Sequence, residues 1–234
     1  MALILNIETA TEVCSVSLSQ DGVVTHIKEN KEGLNHANLL TVFIEDIFKE
    51  ADIKATNLDA VAISSGPGSY TGLRIGVSAA KGICYGAQIP LISISTLQAM
   101  AHHAATDTSI EKKDETLFAS LIDARRMEVF AAFYDAQNII HRNIAADIID
   151  NESYRDILDN HPVVFVGNGV DKCKDELDHP NAILKGDIKA SSAYFAPIAE
   201  EKFKKEEFED IAYFEPFYLK DFVVTQSKKN ILGK

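Results

Sequence analysis

Cysteine is scarce in this chain: Cys14, Cys84 and Cys173 are far apart, odd in number and form no CxxC pair. That excludes a disulfide framework, and the three read as reduced structural thiols of a cytosolic protein. A basic stretch is also missing. Acids outnumber bases 35 to 23, for a net charge of −12. The excess is spread over both halves, 10 to 6 in residues 1–100 and 25 to 17 in residues 101–234. Phosphate contacts need clustered Lys and Arg, so unassisted binding to nucleic acid is not expected. The opening MALILNIETA has no Lys or Arg and soon turns polar, so no secretory leader is expected. No run approaches the roughly 18–20 apolar residues of a spanning helix, which argues against a membrane partner. What is present in quantity is apolar. At 46% hydrophobic, 234 residues suit one large or two small domains with real cores.

The pattern along the chain is α/β. LILNI (3–7) and the cleanly alternating VCSVSLS (13–19) are strand-like, QDG makes a turn, and VVTHIK supplies a third strand. A helix follows from Asn35, a plausible N-cap, with Leu39, Leu40, Phe43, Ile44, Ile47 and Phe48 at helical spacing. Then come a strand (59–63), a glycine turn, a helix (about 71–87) and the strand IPLISIS. This domain ends near residue 105, and the polar ATDTSIEKKDE (105–115) is the candidate linker to a second domain, 106–234. There the order recurs: TLFASLID, EVFAAFYDAQ and NIIHR as strands, a polar helical stretch, then a strand, a glycine turn and a helix in HPVVFVGNGVDKCKDEL. Glu8 answers to Asp123 and Gly66/Gly68 to Gly167/Gly169, which points to a duplicated βββαβα unit with a cleft between the copies.

The glycine turn SSGPGSYTGLRIGVSAAKG (64–82) invites a nucleotide reading, but the decisive residues are absent. A P-loop places Lys and a hydroxyl after its last glycine to reach phosphate and magnesium. Gly66-Pro67-Gly68-Ser69-Tyr70-Thr71-Gly72-Leu73-Arg74 has neither in place. A dinucleotide fingerprint is GxGxxG followed by an acid for the ribose; the spacing here is GxGxxxG, and IPLISIS carries no acid. The two hairpin turns, Glu8-Thr9-Ala10-Thr11 and Asp123-Ala124-Arg125-Arg126, contain no glycine to bring backbone N–H groups close to an anion. Arg125 and Arg126 could bind an anion themselves, or form a solvated turn. Small residues recur instead at Gly72, Gly76 and Ala80, with Gly82 and Gly86 nearby. Each interior glycine costs a helix about 1 kcal/mol against alanine, so close packing must compensate. The partner in that packing is either the domain's own sheet or a helix of another chain. The preceding helix carries more apolar surface than the roughly 100° stripe one core face needs, which suggests a second contact face.

ILNIETATEVCSVSLSQDG, GLNHANLL, SSGPGSYTGLRIGVSAAKGICYG and IDARRMEVFAAFY resemble the bacterial tRNA threonylcarbamoyladenosine biosynthesis family TsaB, also called YeaZ. The likeness covers most of residues 1–135, with VVFVGNG and FEPFYLK matching loosely beyond. The resemblance implies an actin/sugar-kinase-like, two-lobed fold. It also implies a cytoplasmic, non-catalytic subunit needed to place a threonylcarbamoyl group on the adenosine 3′ of the anticodon. Such a subunit would pair through its N-terminal domain with the catalytic paralogue TsaD, and the ATPase TsaE would join. tRNA would then be held mainly by the partner, which fits the acidic composition. The paralogue's metal site uses two histidines four apart on the first helix; here His36 is followed at that spacing by Leu40, so no such site is expected. No cofactor or catalytic residue is expected, and Glu8 stands where many relatives have Asp. The family's helical bundle makes Leu39, Leu40, Phe43, Ile47, Gly72, Leu73, Gly76, Val77 and Ala80 the candidate partner residues. If Gly76 faces the partner, Gly76→Leu should block pairing yet leave a folded chain. A homodimer through the same surface is the expectation without the partner.

Two rivals come from other classes. A small ATP-dependent kinase or acyltransferase of the same fold would use Asp123 or Glu8 as base. A Ser/His hydrolase has less support: His102 and His103 are adjacent on a helix and point apart. His26, His36, His141, His161 and His179 lie in unrelated contexts, and no GxSxG elbow occurs.

Overall fold

The computed structural model describes residues 2–220 apart from 32, 34 and 114. Residues 221–234 of the second domain, Leu34 of GLNHANLL and Asp114 of the polar linker therefore lie outside the described residues. The first sheet holds β1 (Leu3–Glu8), β2 (Cys14–Gln20), β3 (Val23–Asn30), β4 (Ala60–Gly66) and β5 (Leu91–Ser95), in the order β3-β2-β1-β4-β5. Its helices are α1 (His36–Glu50), α2 (Tyr70–Ala87) and α3 (Thr96–Thr106). The second sheet holds β6 (Leu117–Asp123), β7 (Glu128–Tyr134), β8 (Ile140–Ile148), β9 (Val163–Val166) and β10 (Ala182–Lys185), in the order β10-β9-β6-β7-β8. With it go α4 (Arg155–Leu158), α5 (Val170–Cys173) and α6 (Ala196–Lys204). Read from its other end, the second order repeats the first, so the duplicated βββαβα unit is present. The glycines after β4 and β9 match as well: Gly66 and Gly167 both take left-handed φ values, 97° and 105°.

Period-two alternation divides β1 cleanly. Leu5 and Ile7 join Val16, Leu18, Val61 and Ile63 under α1 and α2, where Leu40, Ile44, Ile47, Val77, Ala80 and Cys84 complete one core. Each large aliphatic side chain buried there contributes about 1.5–3 kcal/mol. The opposite face of β1 and β2 carries Asn6, Glu8, Ser15, Ser17 and Ser19, all buried. The alternation of VCSVSLS therefore separates two buried faces, one apolar and one polar. Asn6 Nδ2 donates to Ser19 Oγ at 2.9 Å, and Ser15 Oγ lies 2.7 Å from Ser192 Oγ.

The ends of the two units are exchanged. α3 leaves the first sheet and packs on the second, where Leu97, Met100, Ala101 and Ala104 join Phe118, Ile122, Ala132, Val164 and Val166. Phe195, Ile198 and Ala199 return to the first sheet and cover Ile4, Ala60, Ala62, Ile92 and Ile94. A strap then crosses the first lobe. Glu209 bridges to Leu91, Ile211 and Phe214 pack against the first core, and Phe217 N–H donates to Ser65 O at 2.7 Å. Its end reaches the second lobe, where Lys220 pairs with Glu128.

Three local expectations differ from the structure. Asn35 holds the N-cap position of α1 but its side chain caps nothing, whereas Ser69 and Ser95 cap α2 and α3. The stretch after NIIHR continues as strand to Ile148 and turns helical only at the single turn α4. There Arg142 and Asp147 form a two-pronged ion pair along the strand, at 2.8 and 2.9 Å. The helix expected after the second glycine turn is the single turn α5.

Candidate partner face and interlobe cleft

The glycine turn seats α2 on the hairpin turn that follows β1. Ser69 N–H donates to Ala10 O at 2.6 Å, and Ser69 Oγ accepts from Gly72 N–H at 3.2 Å. A Cβ at Gly68 would lie 2.2 Å from Ala10 O, one at Gly72 2.2 Å from Thr9 O, and one at Gly76 2.3 Å from Thr9 Oγ1. These glycines let a helix backbone rest directly on a strand turn of the same chain. Gly82 and Gly86 differ: among the described residues, a Cβ at either would meet nothing within 4 Å.

Of the nine residues assigned to a partner from sequence, seven are buried inside this chain: Leu40, Ile47, Gly72, Leu73, Gly76, Val77 and Ala80. Leu39 and Phe43 are half-buried at the margin of the same core. The outer side of the two helices presents other residues. Val42 is 46% and Tyr85 75% exposed, Ser78, Gly82 and Gly86 are exposed, and Ile75, Ala79 and Ile83 are half-buried. A groove of about 740 Å³ runs between α1 and α2, walled by His36, Leu40, Thr41, Arg74, Ile75 and Ala79, among others. The sequence reading placed the partner residues on the glycine stripe and the inner side of α1, not on this outer side. Ile75, Ala79 and Ile83 recur four apart, in a row beside the glycine stripe.

Glu8 ends β1 with no exposed surface. One oxygen accepts from Ala10 N–H at 2.5 Å and the other from Thr96 Oγ1 at 2.8 Å. Burial pushes its carboxyl up to about 7, and these donors only partly oppose that. Cys14 beside it is pushed up to about 11, first by burial and then by Glu8. Asp123, the equivalent position in the second lobe, is exposed and paired with Lys172. Arg125 and Arg126 form the exposed, left-handed tip of the following turn.

His36 is buried at the start of α1, and burial lowers its pKa against the opposing pull of the Thr11 and Val13 backbone. His103 stacks on Tyr194 with ring centroids 3.8 Å apart, and His102, with its pKa also lowered by burial, does not join it in a catalytic set. Among the described residues no group of three or more His, Cys, Asp or Glu could hold a metal ion, and no helix is long and apolar enough to cross a membrane.

The family model for TsaD, tRNA N6-adenosine threonylcarbamoyltransferase, matches residues 29–228. The TsaB protein of Escherichia coli K12 is 32% identical over 227 residues, covering 94% of this chain and 95% of its own. The chain belongs to the TsaB family. The Bacillus subtilis TsaB is 26% identical over 70% of each chain. Among solved structures, YeaZ from Pseudomonas aeruginosa superposes with a TM-score of 0.80 at 25% identity, over 94% of this chain and all of that one. A Lactiplantibacillus plantarum tRNA N6-adenosine threonylcarbamoyltransferase is 30% identical over 58% of this chain and 42% of its own. The two-sheet architecture of this TsaB-family chain is the actin/sugar-kinase-like fold that the resemblance implied.

Proposed function

We propose that this chain is a non-catalytic subunit in tRNA threonylcarbamoyladenosine biosynthesis, required for modifying the adenosine 3′ of the anticodon. In this reading it acts by heterodimerising with a TsaD-like catalytic paralogue through the outer face of α1 and α2, with a TsaE-like ATPase joining. tRNA is engaged through the complex, in the cytoplasm. The observation that carries the reading is the outer helix face. Gly82 and Gly86 thin a helix where none of the described residues takes advantage of it, beside exposed Val42 and Tyr85. A helix loses about 1 kcal/mol for each such glycine, and close approach of another helix would offset that. A non-catalytic role is supported by Glu8, whose two oxygens are both engaged and closed to solvent.

Light scattering after size exclusion tests the reading, with this chain alone and mixed with the TsaD-like protein of the same organism. A stable one-to-one complex that Tyr85→Asp weakens is the expected result. Unmixed peaks, even with nucleotide and the ATPase present, would overturn it.

A further inference from the structure

Glu12 lies in the turn between β1 and β2 and reaches out of the first lobe into the second. One of its oxygens accepts from Asn168 Nδ2 at 2.5 Å, and the other lies 3.2 Å from Lys189 Nζ. We propose that Glu12 is an internal ligand. Its carboxylate fills an anion-binding notch built by Asn168 and Lys189, and in filling it bolts the two lobes together.

The notch is preformed on the second lobe. Asn168 Oδ1 accepts from Asp123 N–H at 3.0 Å, so the amide cannot turn and its Nδ2 faces the first lobe. The flanking glycines key this loop to β6. Gly169 N–H donates to Leu121 O at 3.0 Å, and a Cβ on Gly167 would stand 2.3 Å from that same oxygen. Lys172, on α5 just after this loop, is committed to Asp123 and to the carbonyls of Arg126 and Glu128. Lys189 is thus the charge left for Glu12. Without the carboxylate, the Lys189 ammonium and an oriented amide N–H would be left to solvent water. The chemistry that satisfies both is a small oxyanion, either a carboxylate or a phosphoryl group. With side-chain exposures of 27% for Glu12 and 38% for Lys189, the notch is open enough for such an ion to enter.

The test is thermal unfolding of the full chain in sodium acetate, sodium phosphate or sodium chloride at matched pH and ionic strength. Each variant is read as its gap from the wild type in the same salt, which removes general salt effects. In chloride, Glu12→Ala is expected to melt about 3 °C below the wild type. Acetate or phosphate should close at least half of that gap, saturably, and adding Lys189→Ala should abolish the recovery. Recovery by acetate alone defines a carboxylate-shaped notch, and recovery by both ions a wider oxyanion site. A folded Glu12→Ala protein with the same gap in all three salts would overturn the proposal, as would recovery that survives loss of Lys189. Should Glu12→Ala not fold, Glu12→Gln keeps a contact to Asn168 and removes the charge. It is expected to melt below the wild type, and equality with the wild type would overturn the bolt. The heterodimer assay reads a different face, so failure of one reading leaves the other standing.

Discussion

Gly72 and Gly82 stand ten positions apart on one helix and are expected to answer alanine in opposite directions. At Gly72 the new methyl would lie 2.2 Å from the Thr9 carbonyl oxygen, a backbone atom that cannot move aside without lifting α2 from its turn. Gly72→Ala should lose about 2–4 kcal/mol in urea unfolding, and wild-type stability would show that the helix is seated differently. Gly76→Leu meets Thr9 Oγ1 and Ile63 in the same way. It is therefore expected to unfold the chain rather than yield a folded protein that merely fails to pair. Glu8 makes a second prediction at this scale. Its carboxyl titrates near 7 when folded against an ordinary 4.5, so the folded chain holds the proton more tightly than the unfolded one. The stability linked to that proton is fully present below pH 4.5 and is lost as pH rises to about 7, by about 3 kcal/mol. Glu8→Gln cannot ionise. Its carbonyl oxygen can still accept from Ala10 N–H, and its amide can donate to a rotated Thr96 hydroxyl. Unfolding free energies measured from pH 4.5 to 8 should therefore fall more steeply for the wild type than for Glu8→Gln. Parallel curves would mean that Glu8 is ionised throughout.

At the scale of the element, α2 has one face that the chain explains and one that it does not. Gly82→Ala adds a methyl into open space, so the isolated chain should gain about 1 kcal/mol from helix propensity, raising its midpoint by about 3 °C. If a partner helix lies on that face, the same methyl should weaken the complex in titration calorimetry. Gain in both stability and affinity would place the partner elsewhere. The helices themselves were legible in the sequence because Leu40, Ile44 and Ile47, and Leu73, Val77, Ala80 and Cys84, recur at helical spacing on single faces. Which stripe of α2 faces outward was not legible. Gly72-Gly76-Ala80 is thin and Ile75-Ala79-Ile83 is apolar, so either could meet another element. The choice between them is made by Thr9, more than 60 residues away, through contacts that no local pattern encodes. For a similar reason β8 was read too short: antiparallel pairing with β7, from Glu128 opposite Ile148 to Tyr134 opposite Ile140, holds it extended through residues that look polar and helical.

For the whole molecule, the exchange of ends decides how the lobes depend on one another. Residues 1–105 carry a complete sheet, and their composition reads as a domain. Yet Ile4, Ala60, Ala62, Ile92 and Ile94 are covered by Phe195, Ile198 and Ala199 from the far end of the chain. Leu97, Met100, Ala101 and Ala104 belong to the second lobe's core. A fragment ending at residue 105 would therefore expose one face of its sheet and carry a helix whose apolar side has no partner. Removing the strap would also uncover the core under Ile211 and Phe214. At about 25 cal/mol per Å² of apolar surface returned to water, two open faces outweigh the marginal 5–15 kcal/mol that holds a typical domain together. The fragment 1–105 should thus show no cooperative thermal transition, and the full chain a single one. Phe195→Ala, which cuts a fully buried contact of the returning segment, should lower that single transition without splitting it. A fragment that melts as sharply as the full chain, or a Phe195→Ala protein with two resolved transitions, would mean that each lobe folds on its own. The exchanged ends would then be a packing convenience rather than the structural tie between the lobes.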